Sequence, residues 1–396
     1  MSATKLRLVC LALGTAMLLT AIPLGALGDD DATVAVIILF KDKVDKDVVK
    51  DYGGTVDLTY SIIPAVVAVV KEKDVKKLEK NDKVKSVSEN TLFYAVGEVD
   101  TDGKGGGKPA PNPVPQSLGW GVDRIDADLA WGTTTGSTID VAIVDTGIDN
   151  DHPDLPTIGK SINYVSQRGT INNDAWDDDN GHGTHCAGIV AAQNNAIGYI
   201  GVAPGVTLHA VKVLNKQGSG WVSDIILGLQ WCAGNDIEVI SMSLSSKSDA
   251  PGFHAACDAA QAAGMVLVAA AGNSGSSTPE YPAAYDSVIS IGATDKSDSL
   301  AYFSNYGDEM DLVAPGVSIP STYKGGTYKT LSGTSMACPH VAGTAALVLT
   351  TDITDTSYDS DHDDAWDPAE VMTCLVDTAE SLVGVAYGLV DAEAAV

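Results

Sequence analysis

The stretch DDDNGHGTHCAG, residues 177–188, places His182, His185 and Cys186 at intervals of three and four. On a helix those three share one face. They form either a metal-ligating trio or one proton-transferring histidine with two packed neighbours. Zinc proteases of the HExxH kind need a glutamate base between their histidines. Here Gly183 and Thr184 fill that gap, which favours proton transfer. A histidine base needs a carboxylate to fix its tautomer and a nucleophile to serve. Asp145 ends the apolar run DVAIVD, directly before Thr-Gly. Ser335 lies in SGTSMACPH, where Gly333 permits a turn and a helix begins at the serine. The oxyanion formed by serine attack needs donors aimed at it. The backbone N–H at that helix start is one, and the side-chain amide of Asn273, in AAAGNSG, is another. Singly, an aspartate at a strand end is a turn residue and a serine at a helix start is an N-cap. The chemistry lies in the set.

The elements that must position this set follow from hydrophobic patterning. TIDVAIVDTG, VTLHAVKVL, IEVISMSLS, GMVLVAAAGN and SVISIGATD are near-continuous apolar runs, as in strands buried on both faces of a parallel sheet. Between them lie the helical runs HGTHCAGIVAAQ, VSDIILGLQWCAGN and FHAACDAAQAAG. Alternation of this kind predicts an α/β domain with a doubly wound, mostly parallel sheet, helices on both faces and its site at the strand C-terminal ends. It occupies residues 116–396. Residues 33–90 differ: the order strand, helix, strand, strand, helix, strand predicts a small α+β unit of ferredoxin-like arrangement. Between the two, GEVDTDGKGGGKPAPNPVP at 97–115 reads as an exposed, easily cut linker.

At 396 residues the chain has room for more than one domain. Lys5 and Arg7 precede an apolar run from Leu8 to Leu27 closed by small residues, so residues 1–28 read as a signal peptide, with an uncleaved anchor as the alternative. The net charge of −28 is unevenly spread. Residues 29–115 hold 13 Lys and Arg against 16 Asp and Glu, and residues 116–396 hold 9 against 36. No basic footprint exists on the larger part, which argues against a nucleic-acid partner. The acidity fits either a salt-tolerant surface or calcium sites. Of the five cysteines after residue 28, an odd number, at least one is unpaired. Cys232 with Cys257 is one conceivable bridge, and buried free thiols are the alternative.

VAIVDTGID, NGHGTHCAG, AAAGNSG and SGTSMACPHVAG together resemble the motifs of the subtilisin-like serine proteases, the subtilases. The order Asp, His, Ser along the chain is the one long described for that family, and it strengthens the resemblance. The resemblance spans residues 116–396. It implies that Asp145 orients the imidazole, His182 is general base and then acid, Ser335 is the nucleophile and Asn273 completes the oxyanion hole. It also implies that residues 29–96 are an inhibitory propeptide, that Cys186 is a buried unpaired neighbour of the histidine, and that His152 and His340 are structural.

A protease that cuts extended chains can hold them by strand addition. By resemblance, Gly218, Ser219 and Gly220 form one edge segment and Ser243, Leu244 and Ser245 the other. Ala270 to Gly272 and the segment near Glu280 line the pocket for the residue before the cut. A Glu280 pointing into that pocket would favour basic residues there; the alternative is a solvent-facing loop carboxylate. The resemblance also implies calcium, through oxygen ligands suited to a hard cation: side chains of Gln116, Asp154 and Asn195 and carbonyls of Gln193, Ile197 and Tyr199. Further sites are implied at Asp174, Asp177 and Asp179, and at Glu309 and Asp311. From the residues alone, Asp359, Asp361, Asp363 and Glu370 fall at positions 1, 3, 5 and 12 of an EF-hand loop, although Asp364 stands where glycine is expected.

The expectation is a secreted, autoprocessed, calcium-stabilised, monomeric serine endopeptidase of broad specificity. It would act on polypeptides, take its own propeptide as inhibitor and chaperone, and have no stable membrane association after signal removal. A specific processing protease and a non-catalytic calcium-binding protein on the same fold are the competing readings.

Overall fold

The computed structural model describes residues 32–97, 114–165, 175–353 and 357–396. The predicted signal peptide and most of the 97–115 linker lie outside the described residues. Among those described, no helix is long and apolar enough to cross a membrane.

The larger part is built on a nine-stranded sheet. Its spatial order is Glu380–Ser381, Gly388–Leu389, Leu312–Pro315, Ile289–Thr294, Val266–Ala270, Val239–Met242, Asp140–Asp145, Thr207–Lys212 and Ile162–Asn163. All neighbours pair in parallel except the outermost short hairpin, Glu380–Ser381 with Gly388–Leu389. The apolar runs are buried on both faces, as predicted. In Asp140–Asp145, Val141 and Ile143 join one core with the helices His182–Ala191 and Thr334–Val348. Ala142 and Val144 join another with Val222–Ala233 and Pro251–Ala262. The first strand of the sheet, Asp140–Asp145, lies seventh in this order; the chain passes from it to the Ile162–Asn163 edge and back to Thr207–Lys212 on one side, then proceeds from Val239–Met242 to the other. Its carboxyl end, at Asp145, is therefore the crevice where such sheets place a site.

The N-terminal unit has the predicted order, with strands Thr33–Phe40, Thr55–Thr59, Ala65–Lys71 and Val84–Glu89 and helices Lys46–Asp51 and Glu72–Leu78. In the sheet, Thr33–Phe40 and Ala65–Lys71 are central and antiparallel. The two-residue period of a strand divides its side chains. Val36, Ile38 and Phe40 pack beneath the unit's own helices. Ile37 and Leu39 pack instead with Val222–Ala233 and Pro251–Ala262 of the larger part. Gly252 makes the approach close, since a Cβ there would lie 2.7 Å from Ile37 Cγ2. Polar contacts complete the seam: Tyr60 Oη donates to Ser223 O (3.1 Å), and Asn90 exchanges hydrogen bonds with Ser223.

All five described cysteines are buried free thiols. The Cys232–Cys257 bridge is not formed: the two helices pack apolar faces together, and each sulfur fills core volume.

Candidate active site

Asp145, His182, Asn273 and Ser335 converge at the carboxyl ends of the central strands. Asp145 is fully buried, and both its carboxylate oxygens lie 2.9 Å from His182 Nδ1. An Nδ1–H held by a carboxylate leaves Nε2 as the basic nitrogen. The histidine helix can come this close because residue 183 is glycine: a Cβ there would meet Gly147 O at 2.2 Å.

Asp178, buried and overlooked in the sequence, ties the loop before His182 to the strand end. Its Oδ1 accepts from Thr146 Oγ1, Asn180 N and Gly181 N, and its Oδ2 from Thr184 N and Oγ1. Nothing in the run of three aspartates distinguishes the middle one; only the fold shows which carboxylate turns inward.

His185 and Cys186 pack in the core. His185 bonds Lys329 O through Nε2, and burial lowers its pKa to about 3, so it is neutral. Burial, and secondarily the charge of Asp145, pushes the Cys186 thiol well above its ordinary range. The ligating atoms of Asp145, His182 and Cys186 lie within 4.8 Å of one another. Yet the imidazole Nδ1 is committed to Asp145 and the thiol is held protonated. This geometry orients a base.

Ser335 is the second residue of Thr334–Val348, a helix buried along its whole length. Pro339 lies inside it and has no N–H to donate back to Ser335 O. That carbonyl is satisfied instead by Ser243 Oγ (2.9 Å) and Cys186 Sγ (3.5 Å). The proline thus lets two neighbouring segments hold the serine's backbone. Asn273 is fixed from the same helix start. Its Oδ1 accepts from Thr334 N and Oγ1, both at 2.9 Å, which turns Nδ2 towards the groove.

The groove is filled by the chain itself. Leu92–Ala95 runs antiparallel between Ser219–Trp221 and Leu244–Ser245, giving a three-stranded sheet. Ala95 N donates to Gly218 O (2.8 Å) and Val96 N to Ser243 O (3.1 Å). Ser335 Oγ donates to Val96 O (2.9 Å) and Ser243 O (3.2 Å), and Asn273 Nδ2 to Gly97 O (2.9 Å). Both predicted edge segments therefore hold an extended chain. Glu280 lines the same cavity, and its carboxylate accepts from Ser245 Oγ (2.5 Å) and Ser274 Oγ (3.3 Å). Gly272 lies against Glu280, where a Cβ would approach the carboxylate carbon at 3.1 Å, and Ala270 lies buried in the same core cluster as Val96.

Of the predicted metal ligands, the side chains of the first set all bond to the 193–199 loop. Gln116 Nε2 donates to Gln193 O (2.7 Å) and Ile197 O (3.3 Å), and Gln116 Oε1 accepts from Ala196 N. Asn195 reaches Pro153 O and Ile197 N, and Tyr199 N donates to Asp154 Oδ2. Asp154 is fully buried, its Oδ1 accepts no hydrogen bond, and no basic side chain pairs with it among the described residues. Burial raises its pKa to about 6. A buried carboxylate with one oxygen left without a partner, beside the 193–199 loop and its carbonyls, fits a hard divalent cation.

The other sets converge less. Asp179 pairs with Lys212 (2.7 Å) and Asp177 accepts from Asn150 N, while Asp174 lies outside the described residues. Asp311 accepts from Ser290 N, and among the described residues neither it nor Glu309 belongs to a group of three ligating atoms. In the acidic loop Asp359, Asp361 and Glu370 come within 4.8 Å of one another, but Asp363 does not join them and instead accepts from Ala365 N. Glu370 also closes a capping box with Asp367 at the start of the helix Pro368–Asp377.

A carboxylate-oriented imidazole, a serine at a helix start, an amide facing a groove and edges that pair with extended chain together define a serine endopeptidase. The chain belongs to the subtilase family, whose Peptidase_S8 profile matches residues 136–393. Subtilisin E of Bacillus subtilis (strain 168) is 40% identical over 358 residues, covering 88% of this chain and 85% of that protein. An alkaline protease of Shouchella clausii is 40% identical over 340 residues, 85% of this chain and 80% of the relative. Subtilisin Savinase of Lederbergia lenta is 44% identical over 284 residues, which is 99% of that protein but 71% of this one.

Proposed function

We propose that this chain is a secreted endopeptidase of broad specificity, stabilised by calcium and made as a precursor that its own N-terminal unit inhibits and helps to fold. The observation that carries this reading is the strand Leu92–Ala95, lying in the groove and leading straight to Ser335. In the reaction, His182 takes the Ser335 proton as Oγ attacks a peptide carbonyl. Asn273 and the backbone N–H at the helix start receive the oxyanion. His182 then protonates the leaving amine, and water repeats the sequence on the acyl-enzyme. Edge pairing recognises backbone and not side chains, which supports broad specificity. Purified protein should therefore cut an unfolded polypeptide at many bonds, while an intact Ser335→Ala chain leaves it whole; equal cutting by both would refute the assignment.

Calcium would be held by Asp154, Gln116, Asn195 and the carbonyls of Gln193, Ile197 and Tyr199. When bound, it offsets the buried charge of Asp154 and ties the segment at Gln116 to the 193–199 loop. At a hundredfold excess over its dissociation constant a ligand adds about 2.7 kcal/mol. For a domain of this size that is roughly 5–10 °C in Tm. Adding chelator to the processed enzyme should lower Tm by that amount, and Asp154→Asn should remove most of the difference. A Tm indifferent to chelator would exclude this site.

Glu280 supports a preference within the broad range. Among the described residues no basic side chain pairs with its carboxylate, which faces the cavity beside Val96. A lysine or arginine before the cut would supply one. The gain of one partly solvated pair is about 1 kcal/mol, or about fivefold in kcat/KM. Glu280→Gln should abolish a fivefold advantage of lysyl over norleucyl substrates; an unchanged ratio would mean the carboxylate serves only Ser245 and Ser274.

A further inference from the structure

We propose that Lys212 is a positioning residue of the peptidase reaction: its buried ammonium locks the strand end that carries Asp145 to the loop that delivers His182, and it supplies a fixed positive charge beside that pair. This rests on the endopeptidase reading and adds a residue that touches neither substrate nor the reacting atoms.

Lys212 ends the apolar strand Thr207–Lys212 and is only 4% exposed. A buried ammonium is costly unless each of its protons finds an acceptor. It has three protons to place. Lys212 Nζ donates to Thr146 O, to Asp179 Oδ1 (2.7 Å) and to Leu214 O (3.2 Å). The parallel register sets Lys212 beside Asp145. The two-residue period turns it to the side of the sheet where Leu208 and Ala210 pack with Val141 and Ile143. The helix His182–Ala191 packs on that same side.

Each acceptor leads to a catalytic group. Thr146 N donates to Asp145 Oδ1 (2.6 Å), and Thr146 Oγ1 accepts from Gly183 N (2.9 Å), the residue after His182. Leu214 N donates to Asp145 O (3.0 Å). Asp179 lies three residues before His182, in the loop that Asp178 ties to Thr146. An apolar side chain at 212 would fill the volume but leave Thr146 O without its ammonium and release the loop at Asp179. The charge acts as well. The charged groups around His182 are Asp145 on its strand, Asp149, Asp178 and Asp179 on the adjoining loops, Lys212, and Lys324 and Lys329 on the hairpin of Ile319–Tyr323 with Thr327–Leu331. His185 and Cys186 on its own helix are uncharged. Of the three lysines only Lys212 is buried, so its charge is the least screened by solvent.

Lys212→Met and Asp179→Asn are compared with the parent in excess calcium, each folded as the full chain and then freed of its N-terminal unit by an added protease. Steady-state kinetics across pH gives kcat, KM and the acid limb of kcat/KM, where the imidazole takes up its proton. In Lys212→Met, kcat should fall about tenfold or more while KM stays within about twofold, because both edge segments of the groove are untouched. Loss of the ammonium favours the imidazolium, so the acid limb should move to higher pH by a few tenths of a unit. The Asp179 side chain is 53% exposed, so Asp179→Asn keeps the fold. It leaves the ammonium unopposed, and the limb should move to lower pH. Loosening alone moves both limbs together or neither. A Lys212→Met kcat within about twofold of the parent, or limbs that stay put or shift the same way, overturns the inference and leaves the endopeptidase reading standing. A parent that cuts nothing overturns both. Should Lys212→Met fail to fold, Asp179→Asn decides: a limb at lower pH supports the inference, and one unmoved or raised overturns it.

Discussion

Replacing Ser335 by alanine should lower kcat on a peptide substrate by about 10⁶, a magnitude established on subtilisins themselves and carried over to this chain. The loss is near-complete because the hydroxyl is the only group at this position able to form the acyl-enzyme. The neighbouring thiol of Cys186 cannot replace it: it is buried, held protonated and turned to Ser335 O. The residual activity should stay about 10³–10⁴ above water, since the amide and groove remain. Fold should survive, because Ser335 O keeps its bonds from Ser243 Oγ and Cys186 Sγ when the hydroxyl is gone. Steady-state kinetics on the protein freed of its N-terminal unit measures this. A loss below a hundredfold would mean that another residue attacks.

Removing the Asn273 amide should have the second largest effect. Asn273→Leu takes away the donor aimed at the developing oxyanion. By the same family's precedent, this costs about 10²–10³ in kcat, or about 2.7–4 kcal/mol. KM should barely change, because the donor matters most when charge has formed. The geometry adds a graded companion. Thr334 Oγ1 donates to Asn273 Oδ1, so Thr334→Val leaves the amide present but less firmly aimed. Its loss should be smaller and also confined to kcat. A rise in KM with constant kcat in either variant would move Asn273 from the oxyanion to ground-state binding.

How much of the molecule is legible in the sequence depends on how local each signal is. Asp145 is legible, because an apolar run ending in Asp-Thr-Gly puts a carboxylate at a parallel strand's end whatever surrounds it. So are the six elements of the N-terminal unit, because their apolar spacing switches cleanly between strand and helix periods. Leu92–Ala95 is not: four residues carry no periodicity, and the strand exists only because two edges of the larger domain flank it. Asp178 is hidden between two aspartates of identical chemistry. The role of Pro339 is hidden too, since a proline in an apolar run marks a break, and only the packed structure shows that Ser243 and Cys186 take up the carbonyl it frees. The acidic loop shows the opposite error. Its EF-hand spacing places four oxygens, but the fold assigns Asp363 to its own turn and gives Glu370 a second role as a helix cap.

The most direct test of the central claim, that Asp145 and His182 activate Ser335, is mass-spectrometric mapping of an organophosphorus serine reagent on protein freed of its N-terminal unit by an added protease, parent and variant alike. One adduct per chain is expected, on Ser335, with its rate lowered about 10²–10⁴-fold in His182→Ala. An adduct elsewhere, or labelling of Ser335 equally fast without His182, would contradict the account.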